Sequence, residues 1–190
     1  MINVKITNIQ DLAFTKWSGG TTTQLFIQPK GFKVSDDFDI RISSATIRPG
    51  DSKFTNFKNY NRFLTVLEGW IDISHPNNDG EKEGVTRLEK NSPYCFDGAI
   101  ETVSKSDVEV IDFNVIWKKS ISNVKVEILN LKELTKKEVE SGECFIFVLD
   151  DTSSIELNEK DYLVTRGDFI QMKEDKVNML MKGNFIFIKI

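Results

Sequence analysis

The sequence predicts an all-β protein built from a repeated β-barrel or sandwich unit. Three observations predict it. Apolar and polar residues alternate with a period of two in many short segments, as in strands with unlike faces. Phe is abundant, with 14 residues against 4 Pro, and Val, Ile and Thr are frequent, all suited to a pleated and half-buried surface. The segments recur at short, even spacing with turn residues between them.

The elements follow in order. MINVKITNI (residues 1–9) alternates at Ile2, Val4 and Ile6 and predicts an edge or lead-in strand. QLFIQP (24–29) is a short strand ended by Pro29. DFDIRISSATI (37–47) places Phe38, Ile40 and Ile42 on one face and Asp39, Arg41 and Ser43 on the other. RPGDS (48–52) is turn chemistry. NRFLTVLEGWIDIS (61–74) reads as two strands separated at Gly69. HPNNDGEKEG (75–84) is polar and turn-rich, the best candidate for a mobile loop. VTRLEKNSPYCFDG (85–98) and DVEVIDFNVIWKK (107–119) supply further strands.

The last third continues the rhythm with NVKVEIL, CFIFVLDD, SIELNEKDYLVTRGDFIQM and VNMLMKGNFIFIKI. Only NLKELTKKEVESG (130–142) reads as a helix, from the spacing of Leu131, Leu134 and Val139 with Gly142 as its cap. FLTVLEGWIDI…VTRLEKNSPYCF and FIFVLDDTSSIEL…YLVTRGDFIQM share an order: an apolar strand ending in Val-Leu, an acid, a strand, then a turn and another apolar piece. That order suggests two β units in tandem.

Bulk composition narrows the function. At 190 residues, 39% hydrophobic and 28% charged, the chain can bury a substantial core. Its formal charge of −4 argues against nucleic acid and anionic membranes as partners. No signal peptide and no apolar run of membrane-spanning length is visible, so a cytoplasmic location is expected. Cys95 and Cys144 are then expected to be free, buried and inert, with no CxxC pair to hold zinc.

The chemistry-bearing residues are few. His75 is the lone histidine and reads as a solvated loop residue; a barrel metal site needs several imidazoles, so no metal and no cofactor are expected. No G-x-S-x-G occurs, and with His75 the sole histidine a Ser-His-Asp set is not expected. SGGTTTQ (18–24) lacks P-loop spacing; Gly19-Gly20 reads as a turn needing positive φ or as a tight lead-in to a ligand-facing strand. Arg41 and Arg62 sit on strands that a barrel would turn inward. A buried guanidinium needs a partner, either a structural acid such as Glu68 or Asp97 or a bound carboxylate.

Five motifs in order carry a resemblance. WSGGTTTQLFI, DFDIRISSATI, GDSKFTNFKNYNRFLTVLEG, YCFDG and DFNVIWKK, spanning residues 17–119, are similar to those of the HutD/Ves family of bacterial cupin-like proteins. The chain departs from the family pattern at Gln24-Leu25, where Arg-Glu is common, and at Ile40, where Trp is common.

The resemblance implies a bicupin-like pair of jelly-roll β-barrels in one compact domain, the first over residues 1–119 and a smaller second over 120–190. It implies no catalytic metal, and an association with histidine utilisation through binding of a formylglutamate-like intermediate. On that reading a small carboxylate meets Arg41 and Arg62, with Thr21, Thr22, Gln24, Ser43 and Asn114 as neutral contacts. Two other readings stay open. One is a metal-independent isomerase or hydrolase using Glu68 or Asp97 as acid/base. The other is a protein-interaction module with a filled barrel. The oligomeric state is left open, a homodimer through an uncovered sheet edge being one assembly that such strands allow.

Overall fold

The computed structural model describes residues 4–76, 82–140, 142–173 and 176–190. Its elements are strands, with one 3₁₀ turn at Ile9–Asp11. Strand β1 is Val4–Asn8. Strands β2 (Phe14–Trp17), β3 (Gly20–Gln28), β4 (Ile40–Ile47), β5 (Gly50–Lys53) and β6 (Tyr60–Glu68) follow. They are succeeded by β7 (Ile71–Pro76), β8 (Lys82–Leu88), β9 (Tyr94–Asp97), β10 (Val103–Ser106) and β11 (Val110–Lys118). The last six are β12 (Lys125–Glu140), β13 (Glu143–Val148), β14 (Ser154–Leu157), β15 (Lys160–Tyr162), β16 (Asp168–Lys173) and β17 (Lys176–Lys189). Among the described residues no helix is long and apolar enough to cross a membrane.

The chain divides into two compact units, Ala13–Ser122 and Met1–Leu12 with Asn123–Ile190. The division differs from a cut at residue 119 chiefly at the N-terminus. β1 pairs antiparallel with β16 from Val4↔Met172 to Asn8↔Asp168, so the lead-in strand edges the sheet of the C-terminal unit.

The Ala13–Ser122 unit has a six-stranded sheet in the order β2-β3-β4-β11-β6-β9 and a four-stranded sheet in the order β5-β10-β7-β8. Its apolar floor is Ala45, Ile47, Leu64, Val66, Ile71, Ile73, Leu88 and Val110. A second cluster, Ile27, Phe38, Tyr60 and Ile116 with Phe57 against it, closes another part of the same unit.

The other unit is a seven-stranded sheet whose path runs β1-β16-β13-β17-β14-β15, with β12 beside β17. β17 changes neighbours at Gly183: residues 179–182 pair with β14 and residues 185–189 with β13. Gly183 has φ +121°, and a Cβ there would lie 2.2 Å from Ser153 Oγ, so the corner requires glycine. The interior of this unit is apolar, from Ile146, Ile170, Met179, Met181, Phe185 and Phe187 among others.

The tandem order read from the sequence reappears in the pairing. β6 pairs with β9 and β11, and β13 pairs with β16 and β17. The hairpins β7–β8 and β14–β15 occupy matching places in the order. The fold is all-β and bicupin-like.

The helix expected over residues 130–142 is absent. β12 runs through it, paired with β17 from Lys125↔Lys189 to Glu140↔Lys176, with a bulge between Leu131 and Thr135. The bulge keeps Leu129, Leu131 and Val139 on the core side, a placement that sequence spacing mimics as a helical face. The segment expected as a mobile loop also divides. Residues 77–81 lie outside the described residues, whereas His75 and Pro76 end β7 and residues 82–84 open β8.

Candidate functional site

Directly opposed residues in an antiparallel sheet share a face, so register alone defines rows across the Ala13–Ser122 unit. One row is Ile27, Arg41, Ile116, Arg62 and Phe96. The next is Gln24, Ser43, Asn114, Leu64 and Tyr94, and the third is Thr22, Ala45, Asp112 and Val66. Polar side chains therefore concentrate on β3, β4 and β11, and β6 contributes Arg62.

This face looks into a cavity of about 320 Å³. Arg41, Arg62, Ser43, Asn114, Asp112 and Thr22 line it, together with the aromatic rings of Trp17, Phe54 and Phe57. The polar face of residues 37–47 is thus the inside of a barrel, and Ser43 is only 2% exposed.

Arg62 is 6% exposed. Its Nη2 donates to Asn114 Oδ1 at 2.9 Å and its Nη1 to the Thr55 carbonyl at 3.3 Å. The rings of Phe54, Phe96 and Phe57 lie 5.0, 5.1 and 5.7 Å from the guanidinium carbon, so cation–π attraction offsets part of its lost hydration. Its Nε–H is buried without a partner. Burial holds the guanidinium down to about 10; Asp112 opposes this and Arg41 adds to it. Arg62 stays cationic at neutral pH.

Arg41 donates from Nε to Gln24 Oε1 at 3.0 Å. Burial lowers its pKa, and the Asp112 charge opposes that. Neither arginine forms an ion pair within 4 Å among the described residues.

Asp112 is 3% exposed. Its Oδ1 accepts the Ala45 N–H at 3.0 Å, and its carbonyl accepts the Ser44 hydroxyl at 2.5 Å. Burial pushes the carboxyl up to about 6, against the opposing pull of the Ala45 N–H, Arg62, the Asn114 amide and Arg41. Lys16 and Lys53 line the same cavity. Lys53 is paired with Glu101 at 3.0 Å. Two guanidinium groups against one acid make this interior cationic in a chain of net charge −4.

The glycine pair has a steric explanation. Neither Gly19 nor Gly20 has a positive φ. A Cβ on Gly20 would lie 1.8 Å from the Thr46 carbonyl oxygen, and one on Gly19 would lie 2.0 Å from the Trp17 ring. The glycines let the β2–β3 hairpin press onto β4 and fold Trp17 over the turn. The threonines are part of β3, which begins at Gly20 rather than at Gln24.

The structure brings together most of the residues selected from sequence. Arg41, Arg62, Ser43, Asn114 and Thr22 line the cavity, and Gln24 braces Arg41. Thr21 does not join them; it pairs with Thr46 and Lys16, which puts it on the opposite face of β3 from Thr22. The two acids expected as arginine partners sit elsewhere. Asp97 accepts from Lys119 Nζ at 2.6 Å, which keeps its carboxyl below the usual range. Glu68 is opposite Ile111 at the end of β6, away from the cavity lining. Asp112 is the acid that faces the arginines. The signal for it was present: it stands two residues before Asn114 on the same strand face.

His75 is not a solvated loop residue. Its Nε2 is 2.8 Å from the Tyr94 hydroxyl and its Nδ1 is 3.2 Å from the Thr102 hydroxyl, and its ring stacks on Tyr94 at 9°. It ties β7 to β9. Cys144 is buried and free as expected, its thiol pushed up by burial to about 11; Cys95 is free but exposed on the edge strand β9. Among the described residues no group of three or more His, Cys, Asp or Glu could hold a metal ion.

Comparison with known proteins agrees with this architecture. The chain is similar to HutD from Pseudomonas fluorescens SBW25, solved in a formate condition, with a TM-score of 0.82 at 17% identity over 98% of this chain and 97% of that one. It is also similar to a conserved protein of unknown function from Pseudomonas aeruginosa PAO1, at 0.84 and 18% over the same shares. A more distant likeness is to the formate complex of Lactobacillus farciminis oxalate decarboxylase, at 0.63 and 9%, covering 97% of this chain and 84% of that one. Among curated protein sequences none matches. The HutD family profile matches residues 9–187, nearly the whole length, and the chain belongs to the HutD family.

Proposed function

We propose that the Ala13–Ser122 unit binds a small carboxylate metabolite and that the protein acts as a metal-free sensor or regulator. One observation carries the reading: Arg41 and Arg62 line a single cavity, and neither has an acid within ion-pair distance. A guanidinium removed from water and left without a counter-charge is costly to the fold. A bound carboxylate supplies that charge in bidentate geometry. Asn114, Ser43 and Thr22 offer neutral hydrogen bonds around it, and Trp17, Phe54 and Phe57 supply apolar walls. The open cavity speaks against a barrel filled by its own side chains. The family's association with histidine utilisation makes a formylglutamate-like acid the first ligand to test.

The test is a thermal-shift titration with mono- and dicarboxylates, N-formyl-L-glutamate included. A ligand that binds only the native state raises the melting temperature by mass action. The expected result is a saturable rise that disappears in Arg41→Met and Arg62→Met. No rise at millimolar acid would remove the reading and turn attention to protein partners.

A second reading is favoured by Asp112. A carboxyl raised to about 6 beside two arginines suits general acid/base catalysis, which neither Glu68 nor Asp97 is placed to perform. Each acid that binds would be followed by NMR for turnover. Conversion abolished in Asp112→Asn with binding retained would make the protein a metal-independent isomerase or hydrolase. Unchanged acids would leave the sensor.

A further inference from the structure

We propose that Asp112 controls anion binding in this cavity by taking up a proton when the anion binds. The inference rests on the carboxylate-binding reading above and deepens it. Among the described residues Asp112 is the one acid lining the cavity, and it shares that lining with Arg41 from β4, Arg62 from β6, Lys16 from β2 and Lys53 from β5. The neutral groups around it are the Ala45 N–H, Ser43, Thr22 and its strand neighbour Asn114. Its carboxylate oxygen is already committed to a backbone N–H, so it is held at the cavity wall and cannot swing away from an incoming ligand.

Among the described residues Asp112 is the negative charge that both arginines face within the cavity. An acid that engages both guanidinium groups becomes a second negative charge in the same low-dielectric space. The Asp112 carboxyl already lies at about 6 with both guanidinium groups beside it, and a second carboxylate in the site raises it further. The ligand is gripped by the arginines, whereas Asp112 is buried at the cavity wall and already resists ionisation. The proton therefore goes to Asp112.

One consequence follows for recognition. Binding above about pH 6 carries an obligatory proton, so affinity falls about tenfold per pH unit until the complex itself ionises. Below about pH 6 the empty site is already protonated and affinity levels off.

Isothermal calorimetry tests this on the intact wild-type chain. Acetate, succinate and N-formyl-L-glutamate would be titrated near pH 7 in Bis-Tris and in Tris, which differ in ionisation enthalpy and carry no competing anion. The expected result is a difference in heat equal to uptake of nearly one proton per acid bound. Asp112→Asn is expected to abolish that uptake and to bind more tightly than wild type near pH 8. Binding heat that is the same in both buffers after correction, and unchanged in pH dependence by Asp112→Asn, would overturn the role of Asp112 and leave the carboxylate site intact. Absence of binding by all three acids would overturn both.

Discussion

Arg62 Nη2 donates to Asn114 Oδ1 at 2.9 Å across the β6–β11 ladder, while the Nε–H of the same guanidinium is buried with no acceptor. The two residues are diagonal neighbours: Arg62 is opposite Ile116 and Asn114 opposite Leu64. One neutral amide cannot balance a buried charge, so this arrangement holds a cation at the expense of stability.

Replacing Arg62 by Met tests that trade. Met keeps the contacts with Phe54, Phe57 and Phe96 and removes the desolvated charge, but it leaves Asn114 Oδ1 without its donor. The opposing contributions are each about 1–3 kcal/mol. The ligand-free melting temperature is expected to stay within a few degrees of wild type, measured by calorimetry, while the acid-dependent rise is lost. A collapse of the ligand-free protein would mean that the guanidinium holds the barrel together.

The pH dependence of stability has a definite sign at Asp112. Its folded value of about 6 lies above the ordinary 3.8, so the folded state prefers the protonated carboxyl. Stability is then fully present below about pH 4 and falls as the pH rises through 6, by roughly 3 kcal/mol. Asp112→Asn removes this loss. It is expected to raise the melting temperature at pH 8 and to have no effect near pH 4, and an equal shift at both pH values would contradict the assignment.

Gly20→Ala is expected to be severe. Its new Cβ would stand 1.8 Å from the Thr46 carbonyl oxygen, inside a continuous ladder from Gly20↔Ile47 to Gln24↔Ser43. Backbone cannot yield as a flexible side chain does, so β3 must part from β4 at about 2 kcal/mol or more. Urea unfolding would read this as a lowered midpoint. The cavity should loosen with it, since Thr22 and Gln24 follow on the same strand.

The two cysteines are expected to separate by accessibility. Cys95 is exposed, whereas Cys144 is buried with a thiol pushed up to about 11. Iodoacetamide should place one label on the native protein, at Cys95, and two after denaturation. Mass spectrometry of the peptides would show it; early labelling of Cys144 would indicate local opening around β13.

Much of the fold was legible in the chain because strand patterning is local. Alternation located β4 and the β6–β7 break, and the tandem order anticipated the matching pairings of β6 and β13. The 130–142 segment misled because Lys, Glu and Leu at those spacings suit a helix as well as a bulged strand, and only the partner β17 chose between them. At the site, Arg41, Ser43 and Arg62 were legible as inward-facing polar groups. Their acid was not. Asp97 and Glu68 stood nearer in the reading order, but the partner of a charge is set by register, which sends Asp97 to Lys119 and brings Asp112 opposite Ala45.

The sequence by itself determined that the chain forms alternating strands in two similar sets, and which side chains share a face of an unbulged strand such as β4, because a period of two depends only on the backbone. Tertiary structure alone decided that the polar face of β4 and β11 is an interior and that a lone buried carboxyl stands among the arginines. It also decided that Gly19 and Gly20 are required by close approach rather than by φ, and that His75 is a clasp between strands. The physical reason is range: burial, charge pairing and steric exclusion are set by atoms tens of residues away, and those atoms meet only when the sheets close.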